Sequence, residues 1–213
     1  FALIISEQEP PYERPAGEKI SGKHLFKNKT YLKLMISVFF VMGTNVANST
    51  YFGYLFREGG GSVAGIGTAF LLMAGSEAPF MALTPMLVRR FTSEKLILFA
   101  MVLSSLRFGF YATGPGAAAL LATFFLQGAV NGILLVEVVK YFNKIVSPQY
   151  SGVAIALFYA FGNSFSVIVC SLLGGIILDM ASAKTVYLFF CIYNLIAVFL
   201  YISLGLYKEK KND

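Results

Sequence analysis

The sequence predicts an all-α integral membrane protein of six transmembrane helices, and three observations carry that prediction. Of its 213 residues 57% are hydrophobic and only 13% charged, about half the charge of an ordinary soluble domain. Apolar runs of about twenty residues recur between short polar breaks, the length a helix needs to cross roughly 30 Å of hydrocarbon. The alternating pattern of a membrane β-barrel is absent. The net charge of +6 gathers in short clusters at the ends of apolar runs, where anionic headgroups lie. That placement argues for a lipid bilayer as partner and against nucleic acid.

Residues 1–30 read as a solvated linker, rich in Pro, Gly and charge, with FALII at positions 1–5 open to being the end of a preceding apolar helix. No signal-peptide pattern follows Phe1, and the chain is expected to be one piece of a longer one. The six-helix domain is predicted over 31–207, with helices at 31–56, 63–88, 96–113, 117–142, 151–178 and 185–207. A charged tail, 208–213, follows. REGGGS between the first two helices lacks the Gly-Lys-Ser/Thr of a phosphate loop and reads as a turn. Pro79 and Pro85 fall inside the second helix, where membrane helices tolerate them as kinks.

Six helices return both termini to one side. That side would carry Lys23, Lys27, Lys29, Lys33, Arg89, Arg90, Lys95, Lys140, Lys144, Lys208, Lys210 and Lys211, against Arg57 and Lys184 on the other. The bias predicts a multi-pass protein of the cell membrane with both ends of this segment cytoplasmic.

One acidic residue, Glu77, lies deep in an apolar run, where an ionisable group costs several kcal/mol and marks a pathway or binding site. It stands twelve positions before Arg89, and Arg107 stands twelve after Lys95. At about 1.5 Å per residue both lie roughly 18 Å in, near the midplane, so a Glu77–Arg107 pair is expected. The same count brings Asn45, Gln127 and Asn163 to that level, with Asn48 and Asn131 one turn from Asn45 and Gln127. Amides in membrane helices serve as interhelical glue, but their shared depth on five helices points to a central polar cavity. Gly162, Ser166, Cys170 and Gly174 on the fifth helix, and Gly128 with Gly132 on the fourth, are small-residue stripes for close packing. Glu137 and Lys140 are expected to pair at the interface. Both cysteines, Cys170 and Cys191, lie in apolar segments, so no disulfide framework is expected. With no His/Cys/carboxylate cluster and no nucleophile beside a base, the sequence predicts no metal site, no cofactor and no enzyme.

Two stretches, LRFGFYATGPGAAALLATFFLQGAVNGILLVEVVKYF (106–142) and SGVAIALFYAFGNSFSVIVCSLLGG (151–175), resemble the C-terminal six-helix half of the lactose permease group of the major facilitator superfamily. The similarity covers about residues 25–207. It rests on paired basics before a helix with one mid-helix arginine, the pattern LxxxxxxxLLVxxxKY, and a helix ending in SLLGG. VRRFTSEK occupies the place of the superfamily's Gly-Asp-Arg-Gly-Arg loop and keeps only its basic residues.

The resemblance implies one half of a twelve-helix secondary transporter, its N-terminal half on the same or another chain. It implies a small polar, sugar-like solute as substrate and a proton as possible coupling ion. Glu77 falls at the family's sugar-binding glutamate, and Arg107 at its arginine of the coupling region. The family's histidine falls at Gln127, its proton-carrying glutamate at Val130 and its fifth-helix lysine at Asn163. The aspartate partner of that lysine falls near Asn45 to Asn48. A charged pair is thus replaced on both sides by amides, which leaves neither charge alone. Three coupling schemes stay open: residues in the other half, Glu77 in both roles, or uncoupled transport. A carrier of nucleosides, aromatic acids, drugs or lipid-linked substrates, and a non-transporting scaffold, are the alternatives.

Overall fold

The computed structural model describes residues 22–208, with side chains from residue 25 onward. The expectations for residues 1–21 and 209–213 lie outside the described residues. A short 3-10 helix, Gly22–Lys27, leads into six helices long and apolar enough to cross a membrane. These are α1 (Lys29–Glu58), α2 (Val63–Arg90), α3 (Ser93–Ala112), α4 (Ala117–Ile145), α5 (Pro148–Met180) and α6 (Ala183–Ser203). The predicted ends differ by a few residues, because caps rather than hydropathy set them.

Asn28 caps α1, its side chain accepting from the Thr30 and Tyr31 amides at 3.1 Å, while its Nδ2 donates to the Ile145 carbonyl at 2.8 Å. One side chain thereby starts α1 and ties it to the end of α4. Ser62 caps α2 and Ser182 caps α6 in the same manner. Between α3 and α4 the chain reverses through Gly114 at φ +69°, a conformation that favours glycine. A Cβ there would also lie 2.2 Å from Lys184 Cε.

Two helices depart from regular geometry. Turn geometry interrupts α4 at Phe124, and α5 carries a π-helical stretch over Phe158–Phe165. α2 runs unbroken through Pro79 and Pro85.

Packing follows the small residues. α2 lies along α4, α3 lies between α4 and α6, and α1 packs against α5 and α6. On α5 the buried positions are Ala154, Phe158, Gly162, Ser166, Cys170 and Gly174, a stripe at spacing four turned to α1. A Cβ on the facing Gly43 would meet Ser166 Oγ at 2.0 Å and Cys170 Sγ at 2.8 Å. The interior divides into two apolar clusters. Leu34, Val38, Ile97, Met101, Leu134 and Phe142 belong to the one toward the basic end, and Phe52, Phe108, Tyr111, Phe124, Tyr187 and Phe190 to the one toward the opposite end.

At the basic end, Glu94 of α3 is buried and meets Lys144 Nζ of α4 at 2.9 Å. Glu137 and Lys140 pair at 2.8 Å, as expected, but the Glu137 carboxylate lies fully buried within the bundle while only the lysine reaches outward. Its position on the inner face of α4 explains the difference. Removing Lys144 strands the Glu94 carboxylate, and a buried unsatisfied group costs about 1–3 kcal/mol. Lys144→Met should therefore lower the thermal midpoint by several degrees, and adding Glu94→Gln should recover most of that loss. Scanning fluorimetry of the two variants checks both.

Candidate substrate-binding site

Between the two apolar clusters lies a buried polar layer. α1 contributes Thr44, Asn45 and Asn48, α3 contributes Ser104, Ser105 and Arg107, α4 contributes Gln127 and α6 contributes Asn194, each nearly or fully buried.

Asn45 is the hub of the layer. Its Oδ1 accepts from Arg107 Nη2 at 3.0 Å, and its Nδ2 donates to Ser104 Oγ at 2.9 Å and to the Val41 carbonyl at 2.8 Å. Gln127 Nε2 donates to the Asn45 carbonyl at 2.8 Å and to Asn131 Oδ1 at 3.3 Å. A continuous chain therefore runs from Arg107 on α3 through Asn45 on α1 to Gln127 and Asn131 on α4. Arg107 also stacks over aromatic rings, its guanidinium carbon 4.5 Å from the Phe108 centroid and 5.5 Å from that of Tyr111. Asn48 stands apart from this chain and accepts from Tyr187 Oη at 2.7 Å.

The expected Glu77–Arg107 pair is not formed. Among the described residues the ion pairs are Glu94–Lys144 and Glu137–Lys140. The two residues share a depth but not a neighbourhood, since Glu77 rides on α2, which packs along α4, while Arg107 turns inward from α3 to Asn45. What fixes Glu77 is backbone contact with α4. A Cβ at Gly128 would lie 2.9 Å from the Glu77 nitrogen, and one at Gly132 would lie 2.9 Å from the Glu77 carbonyl oxygen.

The Glu77 side chain is half-buried, and its carboxylate takes part in no hydrogen bond or ion pair among the described residues. Asn131 and Asn163 are half-buried too, and Asn163 sits in the π-helical stretch with its Oδ1 unpartnered. These three are the half-buried members of the predicted set, carried by α2, α4 and α5. A free carboxylate accepts hydroxyl hydrogens, and carboxamides both donate and accept.

Sequence reasoning missed Thr44, Ser104, Tyr187 and Asn194. Asn194 Nδ2 donates to Thr44 Oγ1 at 2.6 Å and supplies the layer from the sixth helix. It stands thirteen positions before Tyr207, so the same depth count could have found it. Tyr187 gave no such signal, because one tyrosine among twelve is not distinguished by spacing.

Because Asn45 satisfies a buried cation, Asn45→Ala removes a hydrogen bond to a charged group and strands Ser104 as well. The expected loss is about 2–3 kcal/mol, read as a drop of several degrees in the thermal midpoint. Asn131→Ala, at a half-buried position, should change it by far less.

The model of the MFS_1 like family, a branch of the major facilitator superfamily, matches residues 6–189. The chain belongs to this family. The maltose permease of Geobacillus stearothermophilus is 34% identical over 181 residues, covering 85% of this chain and 46% of that protein. The uncharacterized transporter YwbF of Bacillus subtilis (strain 168) is 32% identical over 214 residues, covering all of this chain and 53% of that protein. The chain thus spans about half the length of the curated relatives it matches. Among solved structures, a mutant of the nucleoside transporter NupG superposes with a TM-score of 0.74 at 20% identity, covering 90% of this chain and 54% of the other. At that identity the likeness shows the fold alone. This MFS_1 like chain is a multi-pass membrane protein whose six helices match half of a major facilitator bundle.

Proposed function

We propose that this chain is the C-terminal half of a secondary transporter that carries a sugar or glycoside across the cell membrane by alternating access. The observation that carries the reading is the Glu77 carboxylate, set inside an apolar span with no hydrogen-bond or ion-pair partner among the described residues. A group so costly to place there is retained for a ligand that satisfies it. Sugar hydroxyls are such ligands, and the maltose permease among the relatives favours them over other polar solutes.

In this reading Glu77 accepts substrate hydroxyls, and Asn131 of α4 and Asn163 of α5 add further polar contacts. Gln127, Asn45 and Arg107 stiffen the wall behind, and Asn48 braces α1 against α6 through Tyr187. The N-terminal six-helix half completes the cavity, and the two halves rock about this midplane layer. The basic end, with its lysines and arginines, faces the cytoplasm. Where transport is coupled to a proton, Glu77 is this half's carrier, because Val130 is apolar and fully buried.

The test is counterflow in proteoliposomes of the full-length protein, with labelled maltose outside and unlabelled maltose inside. Transient accumulation of label supports the reading. Absence of counterflow with maltose and a panel of other di- and oligosaccharides would reject the sugar assignment.

A further inference from the structure

Beyond the buried layer at Asn45, α1 carries an uncovered face whose chemistry does not suit lipid. Its exposed positions from there to Arg57 are Val46, Ser49, Thr50, Tyr54 and Arg57, which recur on one side of the helix and bring hydroxyls and a guanidinium to the surface. On α6, by contrast, every exposed side chain from Leu188 to Ile202 is apolar. Polar and charged side chains on a spanning helix face the bundle interior or a water-filled cavity. The outer half of this α1 face therefore borders water, while the exposed face of α6 borders lipid.

At the end of that stripe lies a cleft between α1 and α2. Gly53, Tyr54 and Arg57 of α1 and Ile66 of α2 line it, and its volume is about 260 Å³, just below the range of pockets that take drug-sized ligands. Tyr54 is 54% exposed, and Arg57 forms no ion pair among the described residues. Gly53 keeps the cleft open, since a Cβ there would lie 3.4 Å from Ile66 Cδ1. On α2, Ile66, Phe70, Met73 and Glu77 form one row of half-buried positions at spacings of four, three and four. The cleft thus lies on the same side of α2 as Glu77 and eleven positions away, about 16 Å along the helix.

We propose that this cleft is an outer sugar subsite, which takes a ring of an oligosaccharide longer than a disaccharide while another ring is held at Glu77. The inference rests on the sugar reading of Glu77 and adds selectivity for chain length. Tyr54 and Ile66 offer an apolar wall to the C–H face of a pyranose. Arg57, with five N–H donors and no acceptor, donates to its hydroxyl oxygens. The separation of the cleft from Glu77 is more than a disaccharide spans, so maltose seated at Glu77 leaves the cleft free.

The test is calorimetric titration of the purified full-length protein in detergent with maltose and with maltopentaose. The wild type should bind the longer sugar about tenfold more tightly, the effect of added hydrogen bonds to a charged donor. Tyr54→Ala and Arg57→Gln should each remove most of that advantage and leave the maltose affinity in place. Gly53→Leu, which fills the cleft but removes no donor, should do the same. Equal affinity of the wild type for the two sugars would overturn the subsite, and so would an advantage that survives all three substitutions, as it would if Tyr54 and Arg57 were only anchors at the membrane interface. A loss that falls equally on both sugars would overturn it too, because it marks a structural role. In each of these cases maltose binding by the wild type leaves the Glu77 reading standing. A folded wild type that binds neither sugar would reject that reading and the subsite with it.

Discussion

Replacing Glu77 by Gln should lower the uptake of labelled maltose by about ten- to a hundredfold, the worth of exchanging charged for neutral hydrogen bonds to substrate. The change is nearly isosteric, and the carboxylate has no partner to lose among the described residues. Membrane insertion and thermal midpoint should therefore stay within error of the wild type. The combination is diagnostic: a structural carboxylate would reduce stability and transport together, whereas a ligand for substrate reduces transport alone. Glu77→Asp, which keeps the charge but draws it back by one methylene, should fall between the two.

Gly128→Val should drive α2 and α4 apart. A Cβ at Gly128 would lie 2.1 Å from Ser76 Oγ, 2.3 Å from the Met73 carbonyl oxygen and 2.9 Å from the Glu77 nitrogen. Two of those atoms are backbone and cannot rotate away, so α2 must leave α4. Overpacking of this kind costs about 1–3 kcal/mol, and here it also displaces the residue proposed to hold substrate. Both the thermal midpoint and uptake should fall, the second by more than the stability loss explains. Gly67→Ala, on α2 with nothing within 4 Å of the new methyl, is the control and should be silent in both assays.

The sequence made the fold legible because hydropathy in a membrane is nearly one-dimensional. An apolar run of sufficient length must span, and every backbone group within it must be satisfied by helix. Depth was legible for the same reason. Counting residues from the basic ends brought Asn45, Gln127 and Arg107 to one level, and in the structure Arg107 bonds the Asn45 side chain while Gln127 bonds the Asn45 backbone carbonyl. The small-residue stripe of α5 was equally readable, since spacing four on a helix defines one face.

Lateral order was not legible. Depth places Glu77 level with Arg107 but says nothing about which helix stands beside which, and α4 takes the contact with α2 that the pair would have needed. The π-helical stretch at Phe158–Phe165 likewise left no mark, because nothing in FYAFGNSF departs from an ordinary apolar helix. It matters for the site, since it sets the direction in which Asn163 is carried. Tyr187 is a third case. Its role comes from a partner on α1, 139 positions away, and no local pattern encodes that meeting.

The central claim is that the Glu77 carboxylate is a ligand for substrate, and calorimetric titration of the full-length protein with maltose tests it most directly. The wild type should give saturable one-site binding, and Glu77→Gln, folded and of unchanged thermal midpoint, should give none that is measurable at the same concentrations. Equal affinity in the two proteins would contradict the account.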